Sequence, residues 1–215
     1  MMMSARENSY VQISFWEEAA NPISCRHKRV AGGMTVTVSG KLALFIDGAS
    51  LYATAKALGF DIDFKRLLSE FASRGTLVRA HYYTTIMEGN EFQAMRPLTD
   101  WLDFNGFAVK AKPAKEYDDG LGRRKIKRNI GVELSIDALE ISGYVDHVLL
   151  FTGDGDFRRL VEAIQRRGPV VTVVSSIRTK PAMIASDLRR QADEFIELDT
   201  LRDRIGRALP SLAAQ

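Results

Sequence analysis

The sequence predicts a single α/β domain with a mostly parallel sheet between helix layers, and three observations lead there. Two short apolar runs, residues 42–46 and 147–151, are rich in aliphatic and β-branched side chains, and each is followed by glycine and then a helical pattern. Fully buried parallel strands read this way. From Lys41 onward strand-like and helix-like segments alternate, and repeated βα units of this length pair in parallel through right-handed crossovers. The 215 residues, 46% hydrophobic and 27% charged, can bury a core without disulfide or metal staples.

Residues 1–33 have no helical or alternating period, mix Asn, Ser, Pro and Arg, and end in Gly32-Gly33. They read as a disordered tail, with Met34 as an alternative start. The folded domain is expected over 34–208 and a flexible C-terminus over 209–215. A strand over 41–47 leads into a helix over 49–58 that Gly59 stops. Asp63 then caps a second helix carrying Phe64, Leu67, Leu68 and Phe71, which Gly75 stops. A second strand over 77–84 ends in Tyr82, Tyr83 and Thr84, which are candidates to face the crevice, core packing being the better use of the tyrosines. Phe92, Met95, Leu98, Trp101 and Leu102 share one face of a helix over 91–105, ended by Gly106. A third strand over 107–111 and a polar segment follow. The next helix places Ile130, Leu134, Asp137, Ala138 and Ile141 on a helical repeat. Beyond it come a strand over 146–152, a helix over 156–167, a strand over 170–175, a short helix over 186–190, a short strand over 195–198 and a terminal helix over 199–208.

Several functional classes are disfavoured. No run approaches the roughly 20 apolar residues of a membrane helix, and the N-terminus lacks a secretory pattern. The one cysteine, Cys25, has no partner in the chain, so a reducing, cytoplasmic setting is expected. No phosphate-cradling GxxxxGK(S/T) or GxGxxG turn is present; Gly153-Asp154-Gly155 puts a carboxylate where such a loop needs bare amides. His27, His81 and His147 are scattered, which argues against a His/Cys zinc site. Ser50 lies in no GxSxG elbow.

Oxygen ligands remain. Asp47 and Asp154 close the two apolar runs, so they are expected at the C-terminal edge of the sheet, where open α/β sheets bind ligands. Glu133 and Asp137, four apart, share a helix face. If that helix packs beside the first strand, Asp137 joins Asp47 and Asp154 in an acidic cup, whose charge Mg²⁺ or Mn²⁺ would offset while activating water. The plainer roles are a solvated Glu133, an Asp47 that forms a turn before Gly48, and Asp154 or Asp156 as a helix cap.

Three stretches carry a resemblance: Phe45-Ile46-Asp47-Gly48-Ala49-Ser50-Leu51, Glu133-Leu134-Ser135-Ile136-Asp137-Ala138-Leu139 and Thr152-Gly153-Asp154-Gly155-Asp156-Phe157. Together, over roughly residues 41–200, they resemble the motifs of the NYN domain, in the LabA-like branch of the PIN-like nuclease superfamily. The resemblance implies a three-layer, Rossmann-like α/β/α fold with strand order close to 3-2-1-4-5 and a metal-dependent ribonuclease-type centre. It implies Asp47, Asp137 and Asp154 as metal ligands and Asp156 as a supporting or second-metal ligand. Two departures stand out. Ser50 replaces an Asn that orients the first Asp, and Gly131 stands where many members carry an Asp. Glu133, two residues on and on another side of the helix, is an imperfect substitute.

Between the third strand and the acid-bearing helix, Lys110, Lys112, Lys115, Arg123, Arg124, Lys125, Lys127 and Arg128 surround three acids and Tyr117. This basic segment reads as a flexible loop. Set against a solvated surface role, its entry into the Asp137 helix favours contact with single-stranded nucleic acid, through phosphate neutralisation by Lys112, Arg123, Arg124, Lys125, Lys127 and Arg128 and stacking on Tyr117. The net charge of +3 and pI near 9.0 admit such a partner. The expectation is a metal-dependent endoribonuclease acting on single-stranded RNA without a membrane partner, a homo-oligomer being compatible. The competing expectation is a weakly active or inactive NYN domain that binds RNA. A small-molecule phosphohydrolase is disfavoured because Ala49 stands where its second acid would be.

Overall fold

The computed structural model describes residues 40–86, 90–118, 124–127 and 130–207. The expected tail over 1–33, the C-terminus over 209–215, Arg123 and Arg128 lie outside these residues. The strands are β1 (Lys41–Asp47), β2 (Thr76–Ile86), β3 (Phe107–Pro113), β4 (Lys115–Asp118), β5 (Arg124–Lys127), β6 (His147–Phe151), β7 (Val170–Ser175) and β8 (Glu194–Glu197). The helices are α1 (Gly48–Leu58), α2 (Phe64–Ala72), α3 (Asn90–Phe104), α4 (Gly131–Ile141), α5 (Arg158–Gln165), α6 (Ser186–Gln191) and α7 (Arg202–Ile205).

Six strands form one all-parallel sheet in the order β3-β2-β1-β6-β7-β8. This extends the expected strand order by the short last strand. Alternation along β1 builds two cores. Leu42, Leu44 and Ile46 pack with Leu51 and Ala55 of α1, Leu67 and Phe71 of α2, and Ile205 of α7. Ala43 and Phe45 face the other way, onto Leu134 and Ala138 of α4, Leu160, Val161 and Ile164 of α5, and Leu188 of α6. A side chain of this kind, fully buried, contributes about 1.5–3 kcal/mol, and both faces of β1 and β6 are covered. The result is the three-layer α/β/α fold.

Local signals set the element ends. The Asp63 carboxylate accepts from the N–H groups of Lys65 and Arg66 at 3.0 and 3.1 Å and so caps α2. Gly59 and Gly106 sit at φ 78° and 91°, left-handed conformations that end α1 and follow α3. Two helices are shorter than their periodicity suggests. The expected 156–167 helix begins as a 3₁₀ turn, Gly155–Phe157, because the Asp154 side chain draws in the Asp156 N–H at 3.0 Å. The terminal helix divides into a 3₁₀ turn, Leu198–Leu201, and α7.

At the N-terminal side of the sheet, His147 Nε2 lies 2.7 Å from Thr172 Oγ1, which donates to Glu194 Oε2 at 3.0 Å. This row ties β6, β7 and β8 together. Burial, helped by Arg74, pulls the His147 pKa down to about 4, so the ring is uncharged at neutral pH.

The basic segment expected as a loop is a two-stranded antiparallel ribbon. Lys115 pairs with Lys127 and Tyr117 with Lys125 across β4 and β5, and Asp118 pairs with Arg124. With three charged residues and a single apolar one in each strand, Tyr117 in β4 and Ile126 in β5, the sequence carries no strand period here and the ribbon was not legible from it.

Candidate active site

Strand order reverses between β1 and β6, since β1 continues to β2 on one side and β6 to β7 on the other. The crevice at the C-terminal ends of these two strands is where an open α/β sheet admits ligand. Asp47 ends β1, and Asp154 follows β6 by three residues. A cleft of about 510 Å³ opens there, lined by Asp47, Asp154 and Asp156 among others.

Backbone and hydroxyl donors fix the carboxylates. Asp47 Oδ1 accepts the Ser50 N–H at 3.2 Å, capping α1, and Oδ2 accepts the Thr152 hydroxyl at 3.3 Å. Thr152 Oγ1 in turn accepts the Asp154 N–H at 3.3 Å. The Ser50 hydroxyl accepts the Gly153 N–H at 3.1 Å. Ser50 therefore holds α1 to the β6 turn; it is the Ser50 backbone, with Thr152, that orients Asp47. Burial raises the pKa of Asp47, and the charge of Asp154 adds to that, while the hydrogen bonds from Ser50, Thr152 and Ala49 partly oppose it.

Gly153 allows the two loops at this edge to meet. A Cβ on it would lie 1.6 Å from the Met183 carbonyl oxygen and 3.0 Å from Ser175 Oγ. That close approach lets the Ser175 hydroxyl donate to Met183 O at 2.9 Å and the Ala185 N–H donate to Gly153 O at 2.9 Å, which fixes the turn carrying Asp154.

The expected cup of Asp47, Asp154 and Asp137 is not assembled. Residues Gly131, Val132, Ser135, Ile136 and Leu139 of α4 line the cleft, whereas Glu133 and Asp137 occupy another face of the helix and meet β3. Asp137 is buried, with Oδ2 accepting the Tyr83 hydroxyl at 2.6 Å and both oxygens within 2.7 Å of Lys110 Nζ. Glu133 pairs with Lys112, so both cations are engaged by helix acids. Burial alone would raise the Asp137 pKa, but the Lys110 and Tyr83 hydrogen bonds outweigh it and hold the carboxyl below its usual range. The hydrogen bond from Lys112 lowers that of Glu133. Burial and the bond to Asp137 push the Tyr83 phenol well up. Among the described residues, no three acidic, histidine or cysteine side chains gather around a common metal position.

Asp137 therefore sits in a structural ion pair. Asp137→Ala should destabilise the fold by about 2–4 kcal/mol, since the fully buried Tyr83 loses its acceptor and the charge pair is broken; urea unfolding measures it. Because the folded-state pKa of Asp137 is depressed, its contribution is present above the unfolded value of about 3.9 and fades as pH falls through the folded pKa. The gap between wild type and Asp137→Ala should narrow only in that acidic range.

Thr152 and Thr85 are site residues that sequence reasoning missed; Thr85 lines the cleft beside Thr84, which was expected there from its place at the end of the second strand. The apolar residues on the cleft side of α4 were missed as well. Their signal was legible: Val132, Ile136 and Leu139 are apolar yet lie outside the helical repeat of Leu134, Ala138 and Ile141.

Fold and cleft define a class first: a parallel three-layer α/β domain that delivers carboxylates to the C-terminal edge where strand order reverses. The sequence matches the NYN domain family over residues 41–199. It is 34% identical over 169 residues to Low amplitude and bright protein LabA of Synechococcus elongatus, a match covering 77% of this chain and 87% of that protein. The fold is similar to the crystal structure of a protein of unknown function from Vibrio parahaemolyticus RIMD 2210633, with TM-score 0.63 and 28% identity, covering 79% of this chain and 97% of that one. The chain belongs to the NYN domain family, in its LabA-like branch. Among the described residues no helix is long and apolar enough to cross a membrane.

Proposed function

We propose that this chain is a ribonuclease-type NYN domain that acts on single-stranded RNA, with Asp47 and Asp154 as the carboxylates that bind a divalent cation. The observation that carries this reading is their placement: two acids at the ends of adjacent central strands, both lining one cleft.

The donor set suits Mg²⁺ or Mn²⁺. Asp156 and the unbonded lone pairs of Asp47 and Asp154 are hard oxygen donors, and Mg²⁺ is commonly held by one or two carboxylates with waters and substrate phosphate. With glycine at 131 the helix supplies no further carboxylate to the cleft, so Asp47, Asp154 and Asp156 are the side chains that would hold the ion. When bound, the ion supplies Lewis-acid polarisation of the phosphoryl oxygen and a lowered water pKa.

The chain's own groups do the remaining work. The Ser50 N–H and Thr152 hydroxyl keep Asp47 aimed along the crevice, and Asp154 is fixed by its bonds to Thr152 and Asp156. The β4–β5 ribbon, with Arg124, Lys125 and Lys127 on one strand and Tyr117 on the other, paired with Lys125, neutralises phosphates of the flanking strand and offers a stacking ring. Lys112 is spent on Glu133 and is not part of that contact.

A specific observation favours a second reading, an RNA-binding domain of little activity. Gly131 leaves the cleft wall without a carboxylate, and Asp137 is committed to Lys110 and Tyr83. Labelled single-stranded and hairpin RNAs incubated with the full chain in Mn²⁺, Mg²⁺ or EDTA separate the two. Cleavage of the single strands that EDTA stops is the expected result. Binding without cleavage in either metal would leave the second reading in place.

A further inference from the structure

Besides its carboxylates, the cleft has an apolar lining that phosphate and metal chemistry do not use. Ile130, Val132, Ile136, Leu139 and Phe157 form it. Val132 and Ile136, one turn apart on α4, remain 52% and 51% exposed, although apolar surface left in water costs about 25 cal/mol per Å². Gly131 lies among them, and a Cβ there would come 3.3 Å from Phe157 Cζ. Phe157 itself is buried, so the glycine lets α4 settle closely onto that ring, and the apolar surface left open to the cleft is that of Val132 and Ile136. The Ser135 hydroxyl is folded back, donating to Gly131 O at 2.7 Å, so it does not project across the wall. Thr84 and Thr85 add hydroxyls to the lining.

From this pairing of carboxylates with an apolar lining we infer that the apolar face of α4 is a subsite for an unpaired nucleobase, belonging to the nucleotide whose phosphate faces Asp47 and Asp154. The inference rests on the proposed function and names the part of the substrate that the acids do not touch. A ligand of this cleft must bring an anionic end that a cation can bridge to the acids and a flat, largely apolar body for the apolar lining. A nucleotide joins the two within a cleft of about 510 Å³, inside the usual range of roughly 300–1,000 Å³ for small-ligand sites. A base stacked inside a duplex has neither face free, so the subsite selects single strands. Aliphatic side chains read a base's faces and not its edges, so discrimination among the four bases is weak.

Methyl NMR of the full chain in Mg²⁺ tests this with adenosine 5′-monophosphate, ribose 5-phosphate and adenosine as probes. Adenosine 5′-monophosphate should shift the Val132, Ile136 and Leu139 methyls upfield by ring current and bind about tenfold more tightly than ribose 5-phosphate, which should leave those methyls in place. Ile136→Ser and, independently, Val132→Ser should each remove most of that advantage without altering the ribose 5-phosphate affinity; both residues are half-exposed, so truncation spares the core. Equal affinities for the nucleotide and the sugar phosphate, with no ring-current shift on α4, would overturn the subsite. Adenosine keeps the two claims apart. Shifts with adenosine while ribose 5-phosphate binds nowhere would uphold the base subsite and remove the phosphate reading instead.

Discussion

Asp154→Asn should abolish metal-dependent RNA cleavage, lowering the rate by at least about a hundredfold, while RNA binding measured in EDTA, where no cation couples to it, stays within about twofold of wild type. The substitution keeps the shape of the side chain and its ability to accept the Asp156 N–H, so the 3₁₀ turn survives. What it removes is the charge that faces Asp47 across the switch point of the sheet. Losses of roughly 10²–10³ are usual when one preorganised electrostatic group is deleted from a reaction site. Asp47→Asn should behave alike, and its amide still accepts the Ser50 N–H that caps α1. Cleavage is read on labelled RNA and binding by anisotropy. Unchanged cleavage in both variants would remove the carboxylates from the chemistry.

The largest effect on folding is expected at Gly153. Gly153→Ala puts a methyl carbon 1.6 Å from the Met183 carbonyl oxygen and 2.7 Å from the Met183 carbonyl carbon. Both are backbone atoms, held by the Ser175 hydroxyl and by the bond from Ala185 to Gly153. The 176–185 segment must therefore move off the end of β6 or the turn carrying Asp154 must open. A cost of about 3 kcal/mol or more follows, the scale of overpacking compounded by lost hydrogen bonds. Gly143 is the control: a Cβ there meets nothing within 4 Å and its φ is not left-handed, so Gly143→Ala should be neutral or slightly stabilising. Urea unfolding of both variants measures the difference. Equal stability would mean the Gly153 approach is not rigid.

The sheet and the helices were legible in the sequence because their signals are local and repeated. The apolar runs of β1 and β6, the Asp63 cap and the glycines after α1 and α3 each specify a backbone conformation within a few residues. The positions of Asp47 and Asp154 at one edge follow from parallel pairing alone, which sends every strand's C-terminus the same way. Asp137 was misplaced for a physical reason. Motif spacing fixes which residues share a helix face, as Glu133 and Asp137 do, but not which face turns toward the cleft. That is decided by the stripe that buries Leu134 and Ala138 and by Lys110 and Lys112 on the edge strand β3. Strand-to-helix partners of this kind lie 21 and 27 residues from their acids, beyond what periodicity can report. The turn between Gly153 and Met183 was equally hidden, since nothing in Thr152-Gly153-Asp154 says that another loop's carbonyl will rest against the glycine.

The most direct measurement is Mn²⁺ binding, followed by electron paramagnetic resonance on the full chain with and without a single-stranded RNA made uncleavable by 2′-O-methylation. With Asp47 and Asp154 as the cation's protein ligands and an RNA phosphate completing the site, Mn²⁺ should bind weakly alone and at least about tenfold more tightly with RNA. By linkage the RNA must gain the same factor from Mn²⁺, and the coupling should vanish in Asp47→Asn. Mn²⁺ and RNA that bind without influencing one another, or a coupling that Asp47→Asn leaves intact, would contradict a shared metal and phosphate site at this edge of the sheet.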